Sequence, residues 1–163
     1  MTADGLSRLT LNVRTRDRHP DRVLRRRLFA HIAMAFPGLS LDGFVADDGH
    51  NTQLARYRCP SESFFEAKLE EEQVWIFPPD ELIGPVLKFL QLRHRAQKHT
   101  RVVMLLPERP SAPWFFLLAR YKRIARYVVG SDFFREVTPE GRWVKLPTVR
   151  EPWVVLSSFA SSA

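Results

Sequence analysis

Val74-Trp75-Ile76-Phe77-Pro78-Pro79-Asp80-Glu81-Leu82-Ile83-Gly84-Pro85-Val86-Leu87 is the stretch whose reading decides the fold. Its apolar start has the pattern of a strand buried on both faces. Pro78 and Pro79 stop that strand, since neither brings a backbone N–H to a ladder and both hold φ near −65°. Asp80 and Glu81 suit the first turn of a helix, and Leu82, Val86 and Leu90 then repeat at helical spacing with Ile83 and Leu87 alongside. The order is strand, rigid corner, helix. In an open α/β sheet such a corner lies at the carboxyl end of a strand, where ligands bind. A stiff connection without a ligand fits the same residues.

Downstream, the helix is expected to run to about Lys98, and its last turns carry Arg93, His94, Arg95, Lys98 and His99. Cations there complement the negative end of the helix dipole. Pro85 is tolerated because it falls in the first turn. Val102-Val103-Met104-Leu105-Leu106 is a buried strand ended by Pro107. A loop through Pro110-Ser111-Ala112-Pro113 leads to an expected helix from Trp114 to about Lys122. Tyr127-Val128-Val129, Trp143–Leu146 and Trp153–Leu156 read as strands, Phe133-Phe134 as a loop, and residues 157–163 as a frayed end.

Upstream, residues 8–27 hold eight arginines: Arg8, Arg14, Arg16, Arg18, Arg22, Arg25, Arg26 and Arg27. An edge strand through Leu9, Leu11 and Val13 and a flexible basic arm both fit this segment. His19-Pro20-Asp21 reads as a helix start. Leu24, Leu28, Ile32 and Phe36 then step by four as a buried stripe ending before Pro37. Residues 39–45 alternate enough for a strand with Asp42 near its end, residues 46–51 are turn material, and a short helix is expected within 61–72.

The chain has 163 residues, 45% of them hydrophobic and 12% aromatic, enough for a core in one domain. Its formal charge of +7 favours polyanionic partners. A single cysteine, Cys59, cannot form an internal disulfide and fits a reducing compartment. No apolar run approaches the ~20 residues that span a bilayer, and no signal-peptide core is evident. These features lead to the expectation of an intracellular protein, nuclear or cytoplasmic, without a membrane partner. The organisation expected is a basic arm over 1–20, one α/β domain over 21–159 and a tail over 160–163. Helices alternating with apolar strands imply a three-layer α/β sandwich with a mostly parallel sheet.

Much chemistry is excluded by what the motifs lack. There is no Gly-rich phosphate loop, no metal-ligand spacing among the five histidines and no GxSxG elbow. Acidic residues at strand ends, Asp42 and Asp80, and the Pro-Pro corner remain. Taken in order, Leu41-Asp42-Gly43-Phe44, Asn51–Tyr57, Val74–Pro79, Val102–Pro107, Pro110-Ser111-Ala112-Pro113-Trp114, Asp132-Phe133-Phe134 and Pro152-Trp153 carry a family likeness. Across residues 22–159 the chain resembles the phage-type DNA N6-adenine methyltransferases, and more closely the Dam-like domain of DIRS-type tyrosine-recombinase retroelements.

That resemblance implies a Rossmann-like sheet binding S-adenosylmethionine, with Asp42, Phe44 and Asn51 at the cofactor. It also implies that Phe77, Pro78, Pro79 and Asp80 occupy the catalytic motif that grips a flipped adenine. In the family the first residue of the motif is a polar acceptor for the N6 amine and the last an aromatic that stacks on the base. Phe77 and Asp80 supply neither, although Asp80 could replace the acceptor from a shifted position. The expectation is therefore a degenerate centre with no cofactor, kept as a nucleic-acid-binding or assembly module. Phosphate contacts are assigned to Arg14, Arg16, Arg18, Arg22, Arg25, Arg26, Arg93, Arg95, Lys98, Arg120, Lys122 and Arg123. Two alternatives stand beside it: an active S-adenosylmethionine-dependent DNA or RNA adenine methyltransferase, and a protein-interaction scaffold using Trp114-Phe115-Phe116 and Phe133-Phe134.

Overall fold

The computed structural model describes residues 22–93, 100–131, 134–137, 143–145 and 150–158. Apolar strands with no polar face must be covered on both sides, and that requirement sets the architecture. Strand β3 (Gln73–Ile76) and strand β4 (Arg101–Pro107) run parallel at the centre of a five-stranded sheet of order β2-β3-β4-β8-β5. Strand β2 (Leu41–Asp42) pairs parallel with β3. Strand β8 (Trp153–Ser157) is antiparallel to both β4 and β5 (Lys122–Tyr127). Four strands thus share one direction and β8 opposes them. A second, three-stranded antiparallel sheet joins β1 (Arg22–Leu24), β6 (Phe134–Val137) and β7 (Trp143–Lys145).

Side-chain alternation divides the core in two. Val74, Ile76, Val102, Met104, Leu106, Val154 and Leu156 face one side, where helix α2 (Ile83–Arg93) contributes Ile83, Val86, Leu87 and Leu90. Trp75, Val103, Leu105, Trp153 and Val155 face the other, where helix α1 (Arg26–Met34) contributes Phe29 and Ile32, with Phe36 just beyond its end. Trp75 meets Phe29 edge-on at 5.0 Å between ring centroids. The chain is therefore mixed α/β, with one helix on each face of its larger sheet.

The Pro-Pro corner forms as its residues dictate. Pro79 caps a 3-10 turn, Asp80–Leu82, which passes directly into α2 at Ile83 and leaves Pro85 in the first turn. The α1 stripe is also present, but its start differs from the expectation at residue 21. Val23 and Leu24 are buried as strand residues, β1 pairing with β6 across a long sequence separation. The helix begins only after Arg25. A fourfold-spaced Leu satisfies both readings, and the long-range pairing decides between them.

Other expectations fail for related reasons. The helix expected within 61–72 is one 3-10 turn, Phe64–Glu66, capped by the Ser63 hydroxyl, because its phenylalanines turn inward to a ring cluster. The helix expected from Trp114 is a 3-10 segment, Phe115–Arg120, closed by β5. The strand expected at 127–129 lies earlier: β5 ends at Tyr127, and Val128 and Val129 are exposed. The strand expected over 39–45 is confined to Leu41–Asp42. Phe134 opens β6 where a loop was expected. Ser157 is fully buried at the end of β8, and the Ser158 hydroxyl accepts from the Val102 N–H, so the chain is anchored there. Residues 159–163, the arm over 1–20 and the end of the long helix at 94–98 lie outside the described residues.

Leu105 is completely buried on β4, whereas Leu92 on α2 is 75% exposed. Leu105→Ala should lower unfolding free energy by about 2–5 kcal/mol, and Leu92→Ala by no more than about 0.5 kcal/mol, both read by urea denaturation.

Candidate functional site

The carboxyl ends of β2 and β3 lie side by side, with Asp42 paired in register to Trp75. The sheet thus brings Asp42 and the Pro-Pro corner to the same edge. Asp42 is 2% exposed, and its Oδ2 accepts the Gln53 N–H at 2.8 Å. The Phe44 N–H also addresses it, while the Thr52 hydroxyl beside it donates to the Leu54 carbonyl. Its backbone is taken up by the same loop, donating to the Arg56 carbonyl and accepting from the Arg58 N–H. Burial raises the Asp42 carboxyl from the usual 3.8 to about 7, and these hydrogen bonds oppose the rise without cancelling it. The loop over residues 51–58 is tied back through Arg56, whose guanidinium forks onto Glu72 at 2.9 and 2.7 Å. The Gln53 amide reaches the Leu24 carbonyl at 2.9 Å.

The other two residues expected at a cofactor face structural partners. The Asn51 Oδ1 accepts the Ala46 N–H at 2.8 Å and closes the turn between them. That turn needs Gly49, which has φ +74°, and where a Cβ would come within 2.6 Å of the Tyr57 hydroxyl. Phe44 packs on Phe64 at 4.8 Å and on Phe65 at 6.1 Å, in a cluster that Phe89 of α2 completes.

At the corner itself, the Phe77 ring stacks on Phe134 at 5.6 Å with 12° between the planes, and meets Trp153 edge-on at 6.1 Å. Phe134 and Trp153 are in turn edge-to-face at 5.3 Å. Such aromatic pairs contribute about 0.5–1.5 kcal/mol each beyond burial. Pro78 is buried and Pro79 half-buried.

Asp80 does not point as a lone acceptor toward this cluster. Its Oδ2 accepts from Arg109 Nη2 at 3.0 Å, and the same guanidinium grips Glu151 at 2.7 Å through both Nε and Nη2. The antiparallel pairing explains the meeting: Pro107 is opposite Trp153, the Glu108 N–H donates to the Pro152 carbonyl, and Arg109 is brought to Glu151. The two carboxylates raise the Arg109 pKa, Glu151 foremost. Nothing local in the sequence pairs Arg109 with Asp80 or Glu151, which lie 29 and 42 residues away.

The expected phosphate contacts fall on separate elements. Arg25 is half-buried before α1 and Arg26 exposed in its first turn; Arg120, Lys122 and Arg123 are exposed at the β5 edge. Arg123 is paired to Glu108 at 2.8 Å, and the same carboxylate holds Arg126 at 3.1 Å. Arg14, Arg16, Arg18, Arg95 and Lys98 lie outside the described residues, as do the side chains of Arg22 and Arg93. Among the described residues no group of three or more His, Cys, Asp or Glu side chains could hold a metal ion, and no helix is long and apolar enough to cross a membrane.

Compared with protein-family models, with curated proteins and with solved structures, the chain matches none.

The Asp42 carboxyl has a definite linkage sign. Its folded pKa lies above the unfolded value, so the folded state holds the proton that the unfolded chain releases. The resulting stability is full below about pH 4 and is lost as pH rises toward 7. Asp42→Asn should therefore gain on the parent by up to about 1.4 kcal/mol per pH unit between pH 4 and 7. Paired denaturation curves would show this, and a difference that does not change with pH would contradict it.

Proposed function

We propose that this chain is a Rossmann-like, methyltransferase-like domain whose reaction centre has been converted to packing, and that it works as a nucleic-acid-binding module. The observation that carries the reading is the fate of Phe77. At the position where adenine methylation needs a lone pair for the N6 amine, the side chain is a hydrocarbon ring packed on Phe134 and Trp153. Asp80, the nearest substitute acceptor, is engaged by Arg109. Asp42 sits where the resemblance to the Dam-like methyltransferases implies cofactor, yet a backbone N–H of its own chain occupies Oδ2.

Charge supports the binding half of the reading. Arg26 and Arg27 stand in the first turn of α1, preceded by Arg25, with no acidic residue there. Cations at the positive end of a helix dipole are unfavourable by a few tenths of a kcal/mol each, and a phosphate drawn to that end reverses the sign. Contacts of this kind position a protein on nucleic acid without reading sequence.

Fluorescence anisotropy of labelled duplex and single-stranded oligonucleotides against salt tests the proposal. Binding should weaken linearly in log–log form, with a slope of roughly 0.9 per neutralised phosphate on duplex. Binding indifferent to salt, or no binding, would contradict it.

A further inference from the structure

In a regular strand, residues three apart point to opposite faces of the sheet. Arg123 and Arg126 of β5 do not. Arg123 lies opposite Leu156 and Arg126 opposite Val154, because the register slips between Arg123 and Ala125. A bulge of this kind re-aims side chains. Leu156 and Val154 belong to the face covered by α2, so both arginines stand on that side, while Ala125 and Tyr127 pack on the α1 side. Glu108, which follows β4, meets the two guanidiniums together. Its Oε2 is 2.8 Å from Arg123 Nη2 and its Oε1 3.1 Å from Arg126 Nε.

Elsewhere in the chain one guanidinium takes one whole carboxylate. Arg56 forks onto both oxygens of Glu72, and Arg109 onto both of Glu151. Glu108 instead gives one oxygen to each of two guanidiniums, a single negative charge against two positive ones. The Glu108 side chain is 14% exposed, whereas those of Arg123 and Arg126 are 52% and 44% exposed. What this cluster shows to solvent is therefore arginine, with positive charge in excess, on the strand that ends the five-stranded sheet.

We infer that Arg123 and Arg126 form a clamp for one phosphate group of a nucleic-acid backbone, with Glu108 as the positioning residue that holds them together. The inference rests on the nucleic-acid reading above and adds to it the place and geometry of one contact. A tetrahedral phosphate offers oxygens to two planar donors at once, and arginine forks match it where ammonium groups act only as point charges. A carboxylate is held fully by one guanidinium, as Glu72 and Glu151 are, so an acidic peptide makes less use of the pair. Inorganic phosphate shares the chemistry of the backbone group, and the experiment separates the two sources.

The test measures the anisotropy of a labelled mixed-sequence duplex, with a labelled oligodeoxythymidine alongside, against potassium chloride. The full chain is compared with Arg123→Gln, Arg126→Gln, the charge-conserving pair Arg123→Lys/Arg126→Lys, and Arg56→Gln. Arg56 is the control, an exposed arginine whose carboxylate, Glu72, holds no second guanidinium among the described residues. Removing either clamp arginine leaves the other neutralised by Glu108. Each Gln variant should then bind the duplex severalfold more weakly and lose about 0.9 from the log–log salt slope. The Lys pair, at unchanged net charge, should also bind severalfold more weakly, because it lacks the forks. Arg56→Gln should keep the parent's slope, and all variants should melt close to the parent, since partly exposed pairs contribute little to stability. If the Gln variants keep the parent's slope, or the Lys pair binds like the parent, the clamp is wrong, while salt-dependent binding by the parent preserves the broader reading. If the Gln variants bind duplex like the parent yet lose a saturable calorimetric heat for inorganic phosphate, the site takes free phosphate and the backbone assignment is overturned. If the parent binds neither oligonucleotide, the broader reading falls and the clamp with it.

Discussion

Strand β4 has no face that tolerates water. From Val102 to Leu106 every side chain is at most 4% exposed, and the strand is bonded on one edge to parallel β3 and on the other to antiparallel β8. Each apolar face must be covered, which places α2 over Val102, Met104 and Leu106, and α1 over Val103 and Leu105. The same two edges fix what stands at the carboxyl end of the sheet. β3 delivers the Pro-Pro corner there, and the β4–β8 pairing delivers Arg109 and Glu151 beside it. The corner is thus a consequence of the core, and its residues are positioned by strands with little freedom to shift.

At that end the chain uses its polar groups to hold itself together. Arg109 joins three separate segments through Asp80 and Glu151. Glu108 joins the β4 loop to β5 through Arg123 and Arg126. Glu72 joins the start of β3 to the loop over Asp42 through Arg56, and takes the Ser40 hydroxyl as well. Phe77 adds a three-ring cluster with Phe134 and Trp153. Partly exposed ion pairs contribute little singly, but here each ties a loop to a neighbouring segment. In the proposed reading, this is how a fold laid out for chemistry becomes a rigid platform, with charge left at its periphery.

What the sequence discloses and what it hides follow from the same physics. The strands at Val74–Ile76 and Val102–Leu106 are legible because continuous apolar runs ended by proline have few alternatives, the helix from Ile83 by its spacing after the corner, and the strands at Trp143–Lys145 and Trp153–Leu156 by short runs rich in Trp and Val. Leu24 is not, since a stripe residue of a helix and a strand residue paired to Phe134 look alike until β6 is in place. Lys122–Tyr127 is hidden for the opposite reason: an edge strand with charged residues on it has no apolar run to betray it. Of the candidate site, Asp42 and the corner are visible as a strand end and a Pro-Pro stop. Arg109 is invisible, because only the antiparallel register of β4 and β8 carries it to Glu151. Gln53 is missed as well: its hold on Asp42 passes through a loop whose path no local pattern records.

In the proposed reading, side chains and backbone of this protein fill the place where a methyl donor and its target base would meet. Calorimetric titration of S-adenosylmethionine into the full chain tests it most directly. No saturable heat is expected up to millimolar cofactor. Saturable binding in the micromolar range, removed by substitution of Asp42, would contradict it.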